Sequence, residues 1–376
     1  MIILAVAIIL SLSNSGIIGK VNKAKIDSDT ANLREYVNTL RAEWELMTAD
    51  EQTAAGTFVD YANAKLVEKG YKRKLATDGK TIMNEAATAA VDAGIKVGDT
   101  VTGYTLLEST YTTDGSENTC DEEIHDETNP QPQTLKTNTA ITWKYLGVNA
   151  NGEIEIMAYL EATEFTSDIA VRLGGKGGYL KGPEMLNTIC ENLYSVSGVG
   201  TARSMNIDDV NNILGYTGEK GAYYNASGSY TPTKEAKTIA ALESELGITL
   251  SNRTTPDGKD LGTYYSDYYY IGRTSDVKEM ENPENADLVY NTKHSYWLAS
   301  SCAMAEVGNG GDDVCFEVRH VDSIESDSVY ALEMFYSLPG RSSYFNDLMV
   351  RPVVKLDPSV KLVKDATAAN TWNISK

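Results

Sequence analysis

The first twelve positions of the chain are apolar except for Ser11, and the pattern then opens out after Ser13-Asn14-Ser15-Gly16. Across residues 20–48, Ile26, Leu33, Val37, Leu40, Trp44 and Met47 recur at spacings of three, four or seven, which aligns them as one stripe on an α-helix. An apolar helix is therefore expected to run on into an amphipathic one. Lys20, Lys23 and Lys25 lie just past the apolar run, and acidic residues follow. Residues 50–70 predict a second helix, with Phe58, Tyr61 and Leu66 on one side and Gly70 as its stop. Residues 82–93 predict a third, Ala-rich helix carrying Ile82, Ala86, Ala89, Ala90 and Ala93 at helical spacing.

From Ile95 the period changes to two, with Val, Thr and Tyr in alternation, as strands require. Residues 121–137 are acidic, contain proline and hold little apolar material, so a loop is expected there. The run from Ala140 to Tyr159 predicts a hairpin turning at Asn151-Gly152, with Trp143 and Leu146 in the core. A helix follows whose first turn is expected at Pro183 and whose apolar side is Met185, Leu186, Ile189 and Leu193. Asn206 is the expected N-cap of the next helix, with Asp209 three residues on and Gly215 ending it. Another helix is expected near residues 234–246. Three apolar strand-like runs close the chain: SYWLASSC, DDVCFEVRHV and LMVRPVVKL. The expected class is α+β, a long N-terminal helix followed by a mixed antiparallel β head. The expected divisions are a helical stalk over 1–70, a helical connector over 71–96, the head over 97–362 and a tail over 363–376.

Composition narrows the function. With 53 acidic and 33 basic residues, the formal net charge is −20, which repels nucleic-acid backbones and anionic lipid surfaces. There are 23 Tyr but only 5 Phe; Tyr supplies stiff amphipathic contact area for binding, and β-rich extracellular domains also use it in strands. The cluster Tyr264, Tyr265, Tyr268, Tyr269 and Tyr270 reads as a stacking platform for a sugar or as a half-buried strand edge. Three His, no CxxC and no HExxH argue against zinc. The glycines of residues 174–178 lack the GK(S/T) ending of a phosphate loop. Four cysteines suggest disulfides in an exported chain. Cys302 and Cys315 flank a Gly-rich turn and are the favoured pair, leaving Cys120 with Cys190; four reduced, buried thiols are the alternative.

The string ILAVAIILSLSNSGIIGKVNKAK resembles the pilin-like N-terminal helix of Firmicutes surface proteins, with Asn14, Ser15, Gly16, Ile17, Ile18, Lys20, Lys23, Ala24 and Lys25 matching that motif. The resemblance covers residues 2–50. It implies self-assembly into a helical surface filament through Ile2, Ile3, Leu4, Val6, Ile8, Ile9, Leu10, Ile17, Ile18, Leu33, Val37, Leu40 and Trp44, with the subunit in the membrane only before assembly. The family pattern has a basic leader, a Gly before the cut and a Glu at the fifth position; the chain departs from all three, with Ala5 at the fifth position, so the sequence is expected to begin inside the helix. The apolar run alone is shorter than the ~20 residues a bilayer span needs. The alternative is a signal peptide cut near Ser13, against which stands the absence of a basic n-region.

Tyr296-Trp297-Leu298-Ala299-Ser300, Val318-Arg319 and Val350-Arg351-Pro352-Val353-Val354-Lys355-Leu356 resemble the closing segments of a Firmicutes surface-domain family with a C-type lectin-like fold. Residues 143–148 and Thr201-Ala202-Arg203-Ser204 resemble its middle. In that fold the last strands and their loops carry the binding face. The resemblance thus nominates Arg319, His320, Asp322, Tyr336, Arg341, Tyr344 and Asn346, expected in loops between strands, for a host or surface glycan or protein ligand, with the protein itself extracellular on the bacterial cell surface. No cofactor is expected. Carboxylates for calcium exist in Glu281-Asn282-Pro283-Glu284-Asn285 and Asp312-Asp313, but neither string matches the lectin sugar-site patterns. Formylglycine-generating enzymes share the fold and use a reactive cysteine pair, yet Cys315 lies among Asp312, Asp313 and Glu317, a setting that disfavours thiolate. No catalytic role is expected. A surface-tethered or secreted binding module without a filament is the standing alternative.

Overall fold

Thr48 and Thr57 decide how the N-terminal helices are cut. The computed structural model describes residues 17–119, 129–161, 166–215, 282–290, 294–306, 313–322, 328–336 and 345–376, together with the short stretches 222–224, 230–232, 237–238 and 265–266. Helix α1 (Ile17–Leu46) is followed by α2 (Ala49–Ala55) and α3 (Phe58–Glu68). The single helix expected over 50–70 is two. Gly56 adopts φ +86°, and each new helix opens on its own capping box. The Thr48 amide donates to Glu51 Oε2 at 2.8 Å and the Thr57 amide to Asp60 Oδ2 at 2.9 Å, satisfying amides that a helix start leaves without partners. The expected stop holds: Gly70, at φ +84°, sits two residues past α3 and its amide donates to the Val67 carbonyl. Helix α4 (Glu85–Asp92) is capped by Asn84, whose Oδ1 accepts from the Ala87 amide at 2.7 Å.

The chain divides into two units, Met1–Asp92 with Val148–Glu153, and Ala93–Gly147 with Ile154–Lys376. Among the described residues, the first unit packs a core of its own. Leu33, Val37 and Leu40 of α1 pack with Ala62 and Leu66 of α3 and with Leu75 and Ile82. Those three stripe residues are 1%, 5% and 1% exposed. These residues, expected to pack against other copies, are buried within the chain itself: an amphipathic stripe buries against the nearest apolar partner, and α3 supplies it. Trp44 lies against Phe58 and Tyr61, at ring distances of 6.3 and 5.5 Å. Gly152, read as a turn residue, has a second reason to be glycine: a Cβ there would come within 1.9 Å of the Ile82 carbonyl oxygen.

The second unit begins with β1 (Thr100–Thr102), β2 (Thr110–Thr112), β3 (Thr134–Lys136), β4 (Thr142–Val148), β5 (Ile154–Tyr159) and β6 (Ala170–Gly174). Helix α5 (Gly175–Tyr194), β7 (Gly200–Ser204) and α6 (Ile207–Leu214) follow, then the short β8 (Ala222–Tyr224), β9 (Tyr230–Pro232), β10 (Lys237–Thr238) and β11 (Tyr265–Ser266). The chain closes with α7 (Ala286–Tyr290), β12 (Tyr296–Glu306), β13 (Asp313–Asp322), β14 (Ser328–Tyr336), β15 (Phe345–Val350), β16 (Pro352–Leu356), β17 (Lys361–Lys364) and β18 (Thr371–Ser375). This is an α+β protein, helices first and then mixed sheets. One sheet has seven strands in the order β17-β18-β1-β4-β5-β16-β7, and another has five in the order β14-β13-β12-β15-β6. Most neighbours are antiparallel; β1 with β18 and β12 with β15 are parallel.

The hairpin expected around Asn151-Gly152 is present as β4 and β5, with Trp143 and Leu146 buried. The α6 reading also holds: Asn206 and Asp209 form a reciprocal cap, and Gly215 ends the helix at φ +58°. Helix α5 corrects the sequence reading. It starts at Gly175, so Pro183 is inside it rather than in its first turn. The glycines read as a loop are its opening turns, made small because a Cβ on Gly177 would sit 2.2 Å from the Ser116 carbonyl oxygen. The run LMVRPVVKL is two strands, not one. It breaks at Arg351, where the chain leaves the five-stranded sheet and enters the seven-stranded one. The expected tail over 363–376 is likewise corrected. Its last strand, β18, lies between β17 and β1, and Trp372 is 1% exposed with its indole N–H donating to Asp99 Oδ2 at 2.9 Å. Alternation in Trp372-Asn373-Ile374 was too short to register against the polar residues around it. The helix expected near 234–246 lies outside the described residues.

Candidate functional site

A cleft of about 740 Å³ opens in the second unit beside β2 and β3, lined by Ser109, Thr110, Lys136, Thr137, Asn138 and Thr166 among others. Its floor is held by hydroxyls. The Ser109 amide donates to Thr137 Oγ1 at 3.2 Å, the two hydroxyls are 2.7 Å apart, and Thr137 Oγ1 also donates to the Leu193 carbonyl. The Asn138 amide donates to the Tyr194 hydroxyl at 3.3 Å, and burial pushes that phenol's pKa far up. At the rim, Lys136 pairs with Asp168. The lining is therefore mainly uncharged and hydroxyl-bearing. It suits a polar ligand held by hydrogen bonds. The loop expected over 121–137 ends instead in strand β3, and the repeated Thr and Asn of Thr-Leu-Lys-Thr-Asn-Thr are the signal in the sequence that points to this cleft.

Beside this cleft's strands runs a fixed polar network. The Gln133 carboxamide replaces a strand neighbour: its Nε2 donates to the Arg172 carbonyl and its Oε1 accepts from the Arg172 amide, both at 2.7 Å. The same Nε2 and the Thr113 hydroxyl each donate to Glu117 Oε1 at 2.6 Å. Glu117 is wholly buried, and burial pushes its carboxyl above the ordinary value even though those hydrogen bonds pull the other way. Arg172 reaches from β6 to Asp347 on β15 in a two-point pair at 2.9 and 2.7 Å.

Two arginines of the recognised strings have structural work. Arg203 on β7 forks onto Asp209 at 2.6 and 2.7 Å and reaches Glu155 at 3.1 Å. The capping residue of α6 is thus tied to two strands. Arg351 is 0% exposed. Its Nε donates to the Ala158 carbonyl at 2.8 Å and its Nη1 to the Tyr296 hydroxyl at 2.7 Å, while Nη2 reaches the Leu288 carbonyl in α7. Its guanidinium also lies 4.8 Å from the Tyr296 ring centre. The Tyr-Trp and Val-Arg-Pro strings therefore meet: Tyr296 and Arg351 form one buried bond, and Trp297 donates to the Val171 carbonyl at 2.8 Å.

The nominated ligand residues are not gathered on one loop surface. Arg319, His320 and Asp322 lie in β13, Tyr336 ends β14 and Asn346 lies in β15. Arg319 and His320 are 1% and 7% exposed, and the His320 ring sits edge-on to Trp297 at 6.2 Å. Their placement in a ligand-facing loop is corrected: alternation in Cys-Phe-Glu-Val-Arg-His-Val continues the strand through them, which buries both faces. Arg341 and Tyr344 lie outside the described residues. Register sets Cys302 opposite Glu317 and Cys315 opposite Met304, a diagonal arrangement. Cys190 is a buried free thiol, and Cys120 lies outside the described residues. Of the acidic strings considered for calcium, Pro283–Asn285 form a 3-10 turn, and Glu281 and Asp312 lie outside the described residues. Among the described residues no group of three His, Cys, Asp or Glu is placed to hold a metal ion, and no helix is long and apolar enough to cross a membrane. Comparison with protein-family models, with curated proteins and with solved structures gives no match to this chain.

Proposed function

We propose that this chain is an extracellular, pilin-like subunit that assembles through its N-terminal helix and displays a C-type lectin-like head on the bacterial cell surface. The supporting observation is the division of the N-terminal segment. From Leu33 to Leu40 its apolar stripe is buried in the chain's own core, while the apolar positions from Ile2 to Ile18 precede that core in the sequence. On this reading the helix-to-helix contacts of assembly fall to the first eighteen residues. Ile2, Ile3, Leu4, Val6, Ile8, Ile9, Leu10, Ile17 and Ile18 carry them; Leu33, Val37 and Leu40 anchor the helix in its protomer. The head's hydroxyl-lined cleft is the place for a glycan or peptide ligand, in place of the strand residues Arg319 and His320. Immunogold electron microscopy of the producing cells tests this reading. Label along thin fibres is expected. Label confined to the cell envelope, with no fibres, overturns assembly and leaves the surface-tethered binding module, which the intramolecular use of the stripe also favours.

A further inference from the structure

The helical unit holds a cleft of about 410 Å³ whose charged lining is wholly basic. Arg34, Asn38 and Arg41 of α1 form one wall and Lys80 stands on the other. Arg34 and Arg41 are two helical turns apart, about 10 Å along the axis. Arg41 is fixed in place: it donates to the Gly79 carbonyl, and its guanidinium lies 4.0 Å from the Phe58 ring centre. Arg34 and Lys80 are exposed and, among the described residues, make no side-chain hydrogen bond or ion pair. The adjacent acid, Asp78, is committed to its own turn. Its Oδ1 accepts from the Lys80 and Thr81 amides at 2.8 Å each, and its Oδ2 from the Thr81 hydroxyl at 2.6 Å. Arg73, on the same unit, has its pKa lowered by burial and by Arg34, while Asp29 and Glu85 act the other way.

Such a cleft is conspicuous on a chain of net charge −20. Three cations gathered without a lining acid repel one another, and an anionic occupant removes that cost. The densest anionic stretch of the sequence is Asp121-Glu122-Glu123-Ile124-His125-Asp126-Glu127, five acids in seven residues. We infer that the Arg34–Arg41–Lys80 cleft is a docking site for this acidic segment of a second copy of the chain. It deepens the self-assembly reading and rests on it for the source of the occupant. It also gives strongly acidic subunits a specific attractive contact against their mutual repulsion.

A fluorescein-labelled peptide of residues 121–128, titrated with the full chain and read by fluorescence polarisation, tests it. Binding is expected, and it should weaken about tenfold or more in R34E/K80E and on raising NaCl from about 50 to about 500 mM, as screened charge contacts do. A peptide with Asn and Gln in place of the acids should not bind. Both substitutions are at exposed positions, and an unchanged far-UV circular dichroism spectrum confirms the fold. Equal affinity for R34E/K80E, no binding to the unsubstituted chain, or saturation of the cleft by inorganic phosphate with no peptide binding each overturns the inference. Failure of the assembly reading is separate. Peptide binding without filaments sinks assembly and leaves the cleft standing, whereas normal filaments from R34E/K80E sink the cleft alone.

Discussion

The two units satisfy their polar groups at different ranges along the chain. In the helical unit the helix starts are set locally, Thr48 with Glu51 and Thr57 with Asp60, each three residues apart, and the longer side-chain bonds span 38 residues from Arg41 to Gly79 and 43 from Arg73 to Thr30. In the β unit they are more remote. Thr102 bonds Asn373 across 271 residues, Arg351 bonds Ala158 across 193, and Trp297 bonds Val171 across 126. Local contacts order cheaply, while remote ones repay their loop-closure entropy only after the chain has come together. The helical unit should therefore degrade gradually under substitution, and the β unit sharply at the few side chains that close it.

Arg351 gives the largest expected break. Arg351→Met leaves the Ala158 and Leu288 carbonyls and the Tyr296 hydroxyl without their donor in a dry site, which should cost the β unit about 4 kcal/mol. Urea unfolding followed at the buried tryptophans reads the loss. Arg351→Lys should not restore it, because one ammonium cannot serve three acceptors in a fork. In the helical unit, Leu40→Ala should cost about 3 kcal/mol through the cavity it leaves among Ala62, Leu66 and Ile82. Helical signal at 222 nm should report that loss while the near-ultraviolet spectrum of the β unit persists.

A smaller effect comes from Glu117. Its folded pKa lies above the ordinary 4.5, so between those two values the folded chain holds the proton more tightly than the unfolded chain. Stability is then highest below the ordinary value and declines as pH rises through the folded one. Urea midpoints measured across that window should fall for the unsubstituted chain and stay flatter in Glu117→Gln. Asp365 works in the opposite direction. Hydrogen bonds from Asn373, Thr367 and Ala368 hold its carboxyl far below the ordinary 3.8, so its contribution is present above that value and is lost as pH falls through the lowered one. The smallest effect is local: Thr57→Ala should cost about 1 kcal/mol, through the N-cap alone. Fraying of α3 in hydrogen exchange, with α2 unchanged, checks it.

The same contrast explains what the sequence disclosed. The hairpin at Asn151-Gly152, the Asn206–Asp209 cap and the Leu33–Leu40 stripe each follow from residues within a few positions of one another, and each is present. The second capping box, Thr57 with Asp60, was equally local and was overlooked because Phe58, Tyr61 and Leu66 continue the helical spacing through Gly56. Strand β18 is different. Its place beside β1 depends on Trp372 finding Asp99, which no window along the chain contains. The hydroxyl-lined cleft was hidden for the same reason, since Ser109, Thr137 and Thr166 become neighbours only after β2 and β3 pair. The burial of Arg319 and His320 was hidden too, because a polar pair at the end of an apolar run looks like the start of a loop until the sheet continues past it.

Site-specific photocrosslinking in the assembled state tests the central claim, that residues up to Ile18 join copies while the Leu33–Leu40 stripe anchors its own protomer. A photoreactive residue at Ile9 is expected to give crosslinks between copies, and one at Leu40 to give crosslinks to α3 of the same chain. Intermolecular products from Leu40, with none from Ile9, would contradict the account.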